Sequence, residues 1–129
     1  MIRADARSGG AVLVVEDEPD IRDLIVREVQ QMGLRPLPCP SARAALMETE
    51  PLQLALIDIL LPDRSGTKVA RELRSRESTA RVPVIFVTIL DQVTDIEDLD
   101  PPALVVHKPF KRVHLRSAIE NALADAVHG

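Results

Sequence analysis

Five short apolar runs alternate with longer, more polar stretches along this chain. Apolar strands separated by amphipathic segments read as a parallel sheet with helices on both faces, so the expected class is α/β. The runs are Ala11 to Val15, a weak Arg35 to Cys39, Leu52 to Ile57, Val82 to Val87 and Ala103 to His107. The first is almost wholly aliphatic, as a central strand buried on both faces requires.

The intervening stretches carry helical periodicity. Ile21, Leu24, Ile25, Val29 and Met32 recur at steps of three and four between Asp20 and Met32, with Pro19 suited to the first turn and Gly33 to the stop. Ser41 can cap a second helix reaching about Thr49, where Pro51 breaks it. A third is expected from Thr67 to Arg74 with Val69, Ala70 and Leu73 inward, and a last one from Val113 to Ala126 burying Leu115, Ile119, Ala122 and Leu123. Between Asp91 and Asp100 the step of three at Val93, Ile96 and Leu99 suggests a short, poorly anchored helix.

Composition narrows the function classes. At 129 residues the chain has room for one compact domain, expected over 11–127 behind a flexible leader over 1–10. That leader is too polar for a signal peptide, and no run approaches the roughly 18 apolar residues of a membrane span. The net charge of −4 argues against a general nucleic-acid binder; the basic residues Lys111, Arg112 and Arg116 beyond Lys108 read as a solvated helix face. Cys39 is the only cysteine and cannot form an internal disulfide, so the cytoplasm is the expected compartment.

In an open α/β sheet, ligands bind beyond the carboxyl ends of the strands, where the strand order reverses. The residues at those ends are Glu16 and Asp17, Asp58, Thr88 and Lys108. Three carboxylates, a hydroxyl and an ammonium would meet in one crevice. Clustered carboxylates repel, so such a group calls for a cation, and an all-oxygen donor set points to Mg2+ or Mn2+ over zinc.

Four segments, VLVVEDEP, LALIDILLPDRSG, VPVIFVT and VVHKPF, occur in that order. Together they resemble the signature segments of response-regulator receiver domains, with Pro62 and Gly66 four and eight positions after Asp58 and Thr88 thirty after it. The resemblance, spanning about Val12 to Leu123, implies a doubly wound, flavodoxin-like sheet in the order 2-1-3-4-5. It implies Asp58 as phosphoacceptor, Mg2+ held by Glu16, Asp17, Asp58 and the Leu60 carbonyl, Thr88 on a phosphoryl oxygen and Lys108 on the phosphoryl charge. It also implies a cis peptide before Pro109.

The implied protein is a stand-alone phosphoacceptor, not an enzyme. A sensor histidine kinase or histidine phosphotransfer protein would load it, a downstream protein would read it, and it would be a monomer or weak dimer. Three positions depart from the family pattern. Ile89 follows Thr88 where a small residue is usual, Val105 replaces the usual aromatic, and the stretch from Thr88 to Lys108 is about two residues short. Ile89 also keeps a second reading open, a pseudo-receiver that binds partners without being phosphorylated. A Mg2+-dependent phosphatase with Asp58 as nucleophile fits poorly, because Leu60 stands where that chemistry wants a second aspartate.

Overall fold

The computed structural model describes residues 10–128. Residues 1–9, most of the expected leader, lie outside the described residues. The chain forms β1 (Ala11–Val15), α1 (Pro19–Gln31), β2 (Pro36–Cys39), α2 (Ala42–Leu46), β3 (Leu52–Ile57), α3 (Gly66–Ser75), a 3-10 turn (Glu77–Thr79), β4 (Val84–Thr88), β5 (Leu104–His107) and α4 (Arg112–His128).

All five strands are parallel, in the order β2-β1-β3-β4-β5, as the sequence led us to expect. Every residue of β1 and β4 is buried, which explains their unbroken aliphatic runs. The sheet divides the core into two clusters. Leu13, Val15, Ala55, Ile57 and Phe86 face α2 and α3, whereas Val12, Val14, Leu54, Leu56, Ile85 and Val87 face α1 and α4.

Local chemistry sets the helix ends. Pro19 opens α1, and Gly33 follows its end at a positive φ of 78°, a conformation costly for a side chain bearing Cβ. The Ser41 hydroxyl accepts from Ala44 N–H at 3.1 Å, as expected for a cap. The end of α2 comes earlier than the expected Thr49. The carbonyl of Pro51 accepts from Ala11 N–H at 2.9 Å, so the chain must leave the helix in time to reach the sheet.

The largest departure lies between β4 and β5, where no helix forms over Asp91 to Asp100. Nor is the segment poorly anchored: Leu99 is buried, and Leu90, Val93 and Ile96 pack against the α2/α3 side of the core. Asp95 takes a positive φ of 67°. Arg71 of α3 reaches across to Asp98 at 3.0 and 2.9 Å, to Asp95 Oδ1 at 3.2 Å and to the Asp95 carbonyl. Those bonds satisfy the acids and a backbone carbonyl without a helix, the competition that makes aspartate a poor helix former. Arg74 adds bonds to the carbonyls of Val82 and Pro101.

Gly66 opens α3 with its N–H donating to the Ile59 carbonyl at 2.8 Å. A Cβ there would lie 2.1 Å from the Asp58 carbonyl oxygen and 2.9 Å from Ile57 Cγ2. Backbone cannot yield cheaply, so Gly66→Ala should lower stability by about 1–3 kcal/mol. An unchanged urea midpoint would contradict this account of the glycine.

Candidate functional site

The carboxyl ends of β1 and β3 lie side by side because β1 pairs with β2 on one edge and β3 on the other. Asp58 N–H donates to the Val15 carbonyl at 2.9 Å, tying the end of β3 to the end of β1. Glu16 N–H donates to the Cys39 carbonyl at 3.0 Å, and Lys108 N–H to the Thr88 carbonyl at 2.7 Å. Each functional residue therefore leaves a strand whose last ladder bond fixes its position.

Four of the side chains, those of Glu16, Asp17, Asp58 and Lys108, come together. Carboxylate oxygens of Glu16, Asp17 and Asp58 all lie within 4.8 Å of one another. Lys108 Nζ sits 2.7 Å from Glu16 Oε1 and 3.0 Å from Asp58 Oδ2. The second Glu16 oxygen accepts from Glu18 N–H at 3.1 Å, and Asp58 Oδ1 accepts from Leu60 N–H at 3.1 Å. Glu16, Asp58 and Thr88 are buried, Asp17 and Leu60 exposed. The Thr88 hydroxyl accepts from Leu90 N–H at 3.3 Å. The peptide before Pro109 is cis, as is the one between Asp100 and Pro101.

Electrostatics follow from burial. Desolvation pushes the Glu16 carboxyl above its ordinary range, more than the bonds from Lys108 and Glu18 N–H pull it down. Burial alone would lower Lys108, but its bonds to Glu16 and Asp58 outweigh that and hold the ammonium above the usual lysine range. For the pair, the direction that decides the chemistry is that of Lys108: it stays charged at neutral pH. Asp17, with an exposed carboxylate beside two buried ones, completes an all-oxygen donor set that fits a hard divalent cation.

Several residues that build the site were not singled out from sequence. Arg22, in the first turns of α1, donates to the Glu16 carbonyl at 2.9 Å and pins the acidic loop. Asp63 accepts from Ala42 N–H at 3.0 Å and Arg43 N–H at 2.9 Å, capping α2 from the loop after Asp58. These backbone bonds hold that carboxyl below its usual range, the one to Arg43 most of all. Arg112 is exposed and Arg116 half-buried, and beyond the solvated face expected of them both pair with Glu28, a buried carboxylate of α1, at 3.1 and 2.7 Å. The acid at a buried step of the α1 stripe was the available signal.

The family model described as the response regulator receiver domain matches residues 12–120. The chain belongs to that family. The response regulator receiver protein CpdR of Brucella abortus is 30% identical over 119 residues, covering 89% of this chain and 98% of that protein. The sensory transduction protein RegX3 of Mycobacterium tuberculosis is 37% identical over 87 residues, covering 66% of this chain, and the match takes in only 37% of RegX3. Among solved structures, the response regulator protein TrrA of Thermotoga maritima, in complex with Mg2+-BeF, superposes with a TM-score of 0.78. It is 27% identical, and the match covers 88% of this chain and 99% of that one.

Removing the ammonium tests how the receiver tolerates its acids. Breaking a buried ion pair from one side costs about 3–5 kcal/mol, so Lys108→Met should destabilise the fold by that order near neutral pH. With Glu16 raised further, the folded form binds protons more readily than the unfolded chain as pH falls, so acidification recovers part of the loss. The stability gap between wild type and variant, measured by urea unfolding, should be smaller at about pH 5 than at neutrality. A gap that widens on acidification would reverse this assignment.

Proposed function

We propose that this receiver takes a phosphoryl group onto Asp58 from a sensor histidine kinase or histidine phosphotransfer protein, and signals by binding a downstream protein in the phosphorylated form. The observation carrying this reading is the position of Asp58: a buried carboxylate beside a charged lysine, with two further carboxylates in reach. The ion pair with Lys108 at 3.0 Å sets positive charge beside the carboxylate that would attack phosphorus.

In the proposed step, an Asp58 oxygen forms a bond to phosphorus as the phosphohistidine P–N bond breaks, and the imidazole leaves with that electron pair. Lys108 offsets charge on the transferring oxygens, and the buried Thr88 hydroxyl can donate to one of them. A magnesium ion, when bound, supplies further positive charge at the same place. Asp17 and Asp58 are the carboxylates best suited to hold it, with the Leu60 carbonyl. Glu16 would ligate directly only by releasing Lys108 or Glu18 N–H. TrrA, a receiver relative in complex with Mg2+-BeF, supports the metal. No described helix is long and apolar enough to cross a membrane, and we place the protein in the cytoplasm beside its kinase.

Phosphorylation by a small phosphodonor such as acetyl phosphate in Mg2+ should label the wild type, with the label lost in Asp58→Asn and on chelation. Hydroxylamine-sensitive phosphate surviving in Asp58→Asn would sink the assignment. Absence of label in the wild type would favour the pseudo-receiver reading, which rests on Ile89.

The acyl phosphate should also be long-lived. Hydrolysis needs a water aligned with phosphorus, and the positions two beyond Asp58 and two beyond Thr88 are Leu60 and Leu90, whose side chains cannot hydrogen-bond. Leu60→Asn with Leu90→Gln should speed dephosphorylation about tenfold or more, roughly 1.4 kcal/mol of barrier. Equal single-turnover decay rates for wild type and double variant would show that these side chains do not set the lifetime.

A further inference from the structure

Thr88 and His107 stand opposite each other as the last register pair of β4 and β5. Beyond them the chain paths diverge: Lys108 turns into the acidic site, and Ile89 begins the segment that leads back to β5. One residue of that segment, Leu90, is held by both of its backbone groups. Its N–H donates to the buried Thr88 hydroxyl at 3.3 Å, and its carbonyl accepts from His107 Nδ1 at 2.9 Å. A carbonyl has no proton to give, so Nδ1 carries the hydrogen.

Among the described residues, this is the one side-chain hydrogen bond between β5 and the segment after β4. Strand alternation explains its place. His107 shares a face of β5 with Val105, which packs with Leu90, Val93 and Ile96 against the α2/α3 side of the core. Val105 has no group to donate, so the ring at the end of the strand supplies the bond.

Two further observations bear on what the bond does. Ile89, Asp91 and Gln92 are exposed, so burial holds little of the chain on either side of Leu90. The far end of the segment is fixed instead: Arg71 binds Asp95 and Asp98, and Arg74 binds the Pro101 carbonyl. A movement that starts at Thr88 is therefore confined to the stretch about Leu90.

We propose that His107 is a latch on this stretch, closed on the Leu90 carbonyl while Asp58 is unphosphorylated and released through Thr88 when a phosphoryl group arrives. The latch rests on the phosphoryl reading of Asp58. The Thr88 hydroxyl has one hydrogen to give, and a charged phosphoryl oxygen is the strongest acceptor it can meet. To present that hydrogen the side chain turns between staggered positions, carrying its oxygen, and the Leu90 N–H bound to it, toward the site. Leu90 is thereby drawn off the ring, which is left free at the surface beside Lys108. His107 is a positioning residue, acting on the site through Leu90 and Thr88. A bond made only in the closed state opposes phosphorylation, so its removal favours the phosphoryl-bound form.

The probe is beryllofluoride with Mg2+, titrated into the full chain and followed by NMR at about pH 8, where imidazole itself is neutral. In the free protein the His107 ring should carry its hydrogen on Nδ1, and bound beryllofluoride should move the ring nitrogens to the pattern of a free imidazole. Thr88→Val keeps the shape without the hydroxyl, so beryllofluoride should still shift Asp58 and leave the His107 ring unchanged. His107→Ala should bind beryllofluoride about threefold to tenfold more tightly than wild type, the worth of one hydrogen bond. His107→Asn, whose amide can donate from the place of Nδ1, should stay near wild type. A lower melting temperature in His107→Ala with unchanged beryllofluoride affinity would mark the bond as merely structural and overturn the latch. So would a ring unmoved by bound beryllofluoride, or one that still moves in Thr88→Val. A wild type that binds no beryllofluoride, with no shift at Asp58 or Lys108, would instead overturn the phosphoryl reading and the latch with it.

Discussion

Three carboxylates whose oxygens lie within 4.8 Å repel one another, and positive charge among them offsets that repulsion. In this protein that charge is the Lys108 ammonium, brought to Glu16 from 92 residues away and to Asp58 from 50. A lysine so placed is itself penalised by burial, and its bonds to the two acids more than offset that penalty. Each side of the arrangement stabilises the other. The site is therefore a product of the whole sheet: β1, β3 and β5 must end at the same level for the charges to meet.

The fold supplies that alignment through backbone bonds more than through side chains. The last ladder bonds of three strands precede the reactive residues directly. The loops beyond are then held from outside. Arg22 grips the carbonyl of Glu16, Asp63 ties the loop after Asp58 to the start of α2, and Gly66 lets α3 begin almost in contact with the Asp58 backbone. On the opposite face, Glu28 with Arg112 and Arg116 locks α1 to α4, the helix that follows the Lys108 loop. Truncating Glu28 would leave two guanidinium groups beside a partly apolar seam.

How much of this was legible in the sequence divides along one physical line. The buried strands were readable because a strand covered on both faces must be apolar throughout, and the site residues because each stands at the end of such a run. Interactions between distant polar side chains were not readable, since periodicity says which face a residue occupies and nothing about its partner. Glu28 shows the difference: its buried position could be counted along α1, but Arg112 and Arg116 were read as solvated until the helices were seen together. The β4–β5 segment failed for the same reason. Val93, Ile96 and Leu99 do turn inward at steps of three, but Arg71 offers the acids and the Asp95 carbonyl a better set of bonds than a helix would.

At the site itself Ile89 is 62% exposed, while Asp58 is 5% exposed. Asp58 is engaged by hydrogen bonds at both oxygens, Oδ1 with Leu60 N–H and Oδ2 with Lys108. Each oxygen keeps a further lone pair with which to attack phosphorus, but once the group is transferred one of those donors gains by moving to it. Lys108 is the better candidate, because a phosphoryl group arriving at Asp58 offers oxygens of greater negative charge for the same ammonium. Glu16 makes that exchange possible without loss of position: it holds Lys108 at 2.7 Å through its other contact and is itself fixed by Glu18 N–H. On the proposed reading, the buried glutamate acts as the tether on which Lys108 moves from the acceptor to the transferred group, a role that uses both of its oxygens.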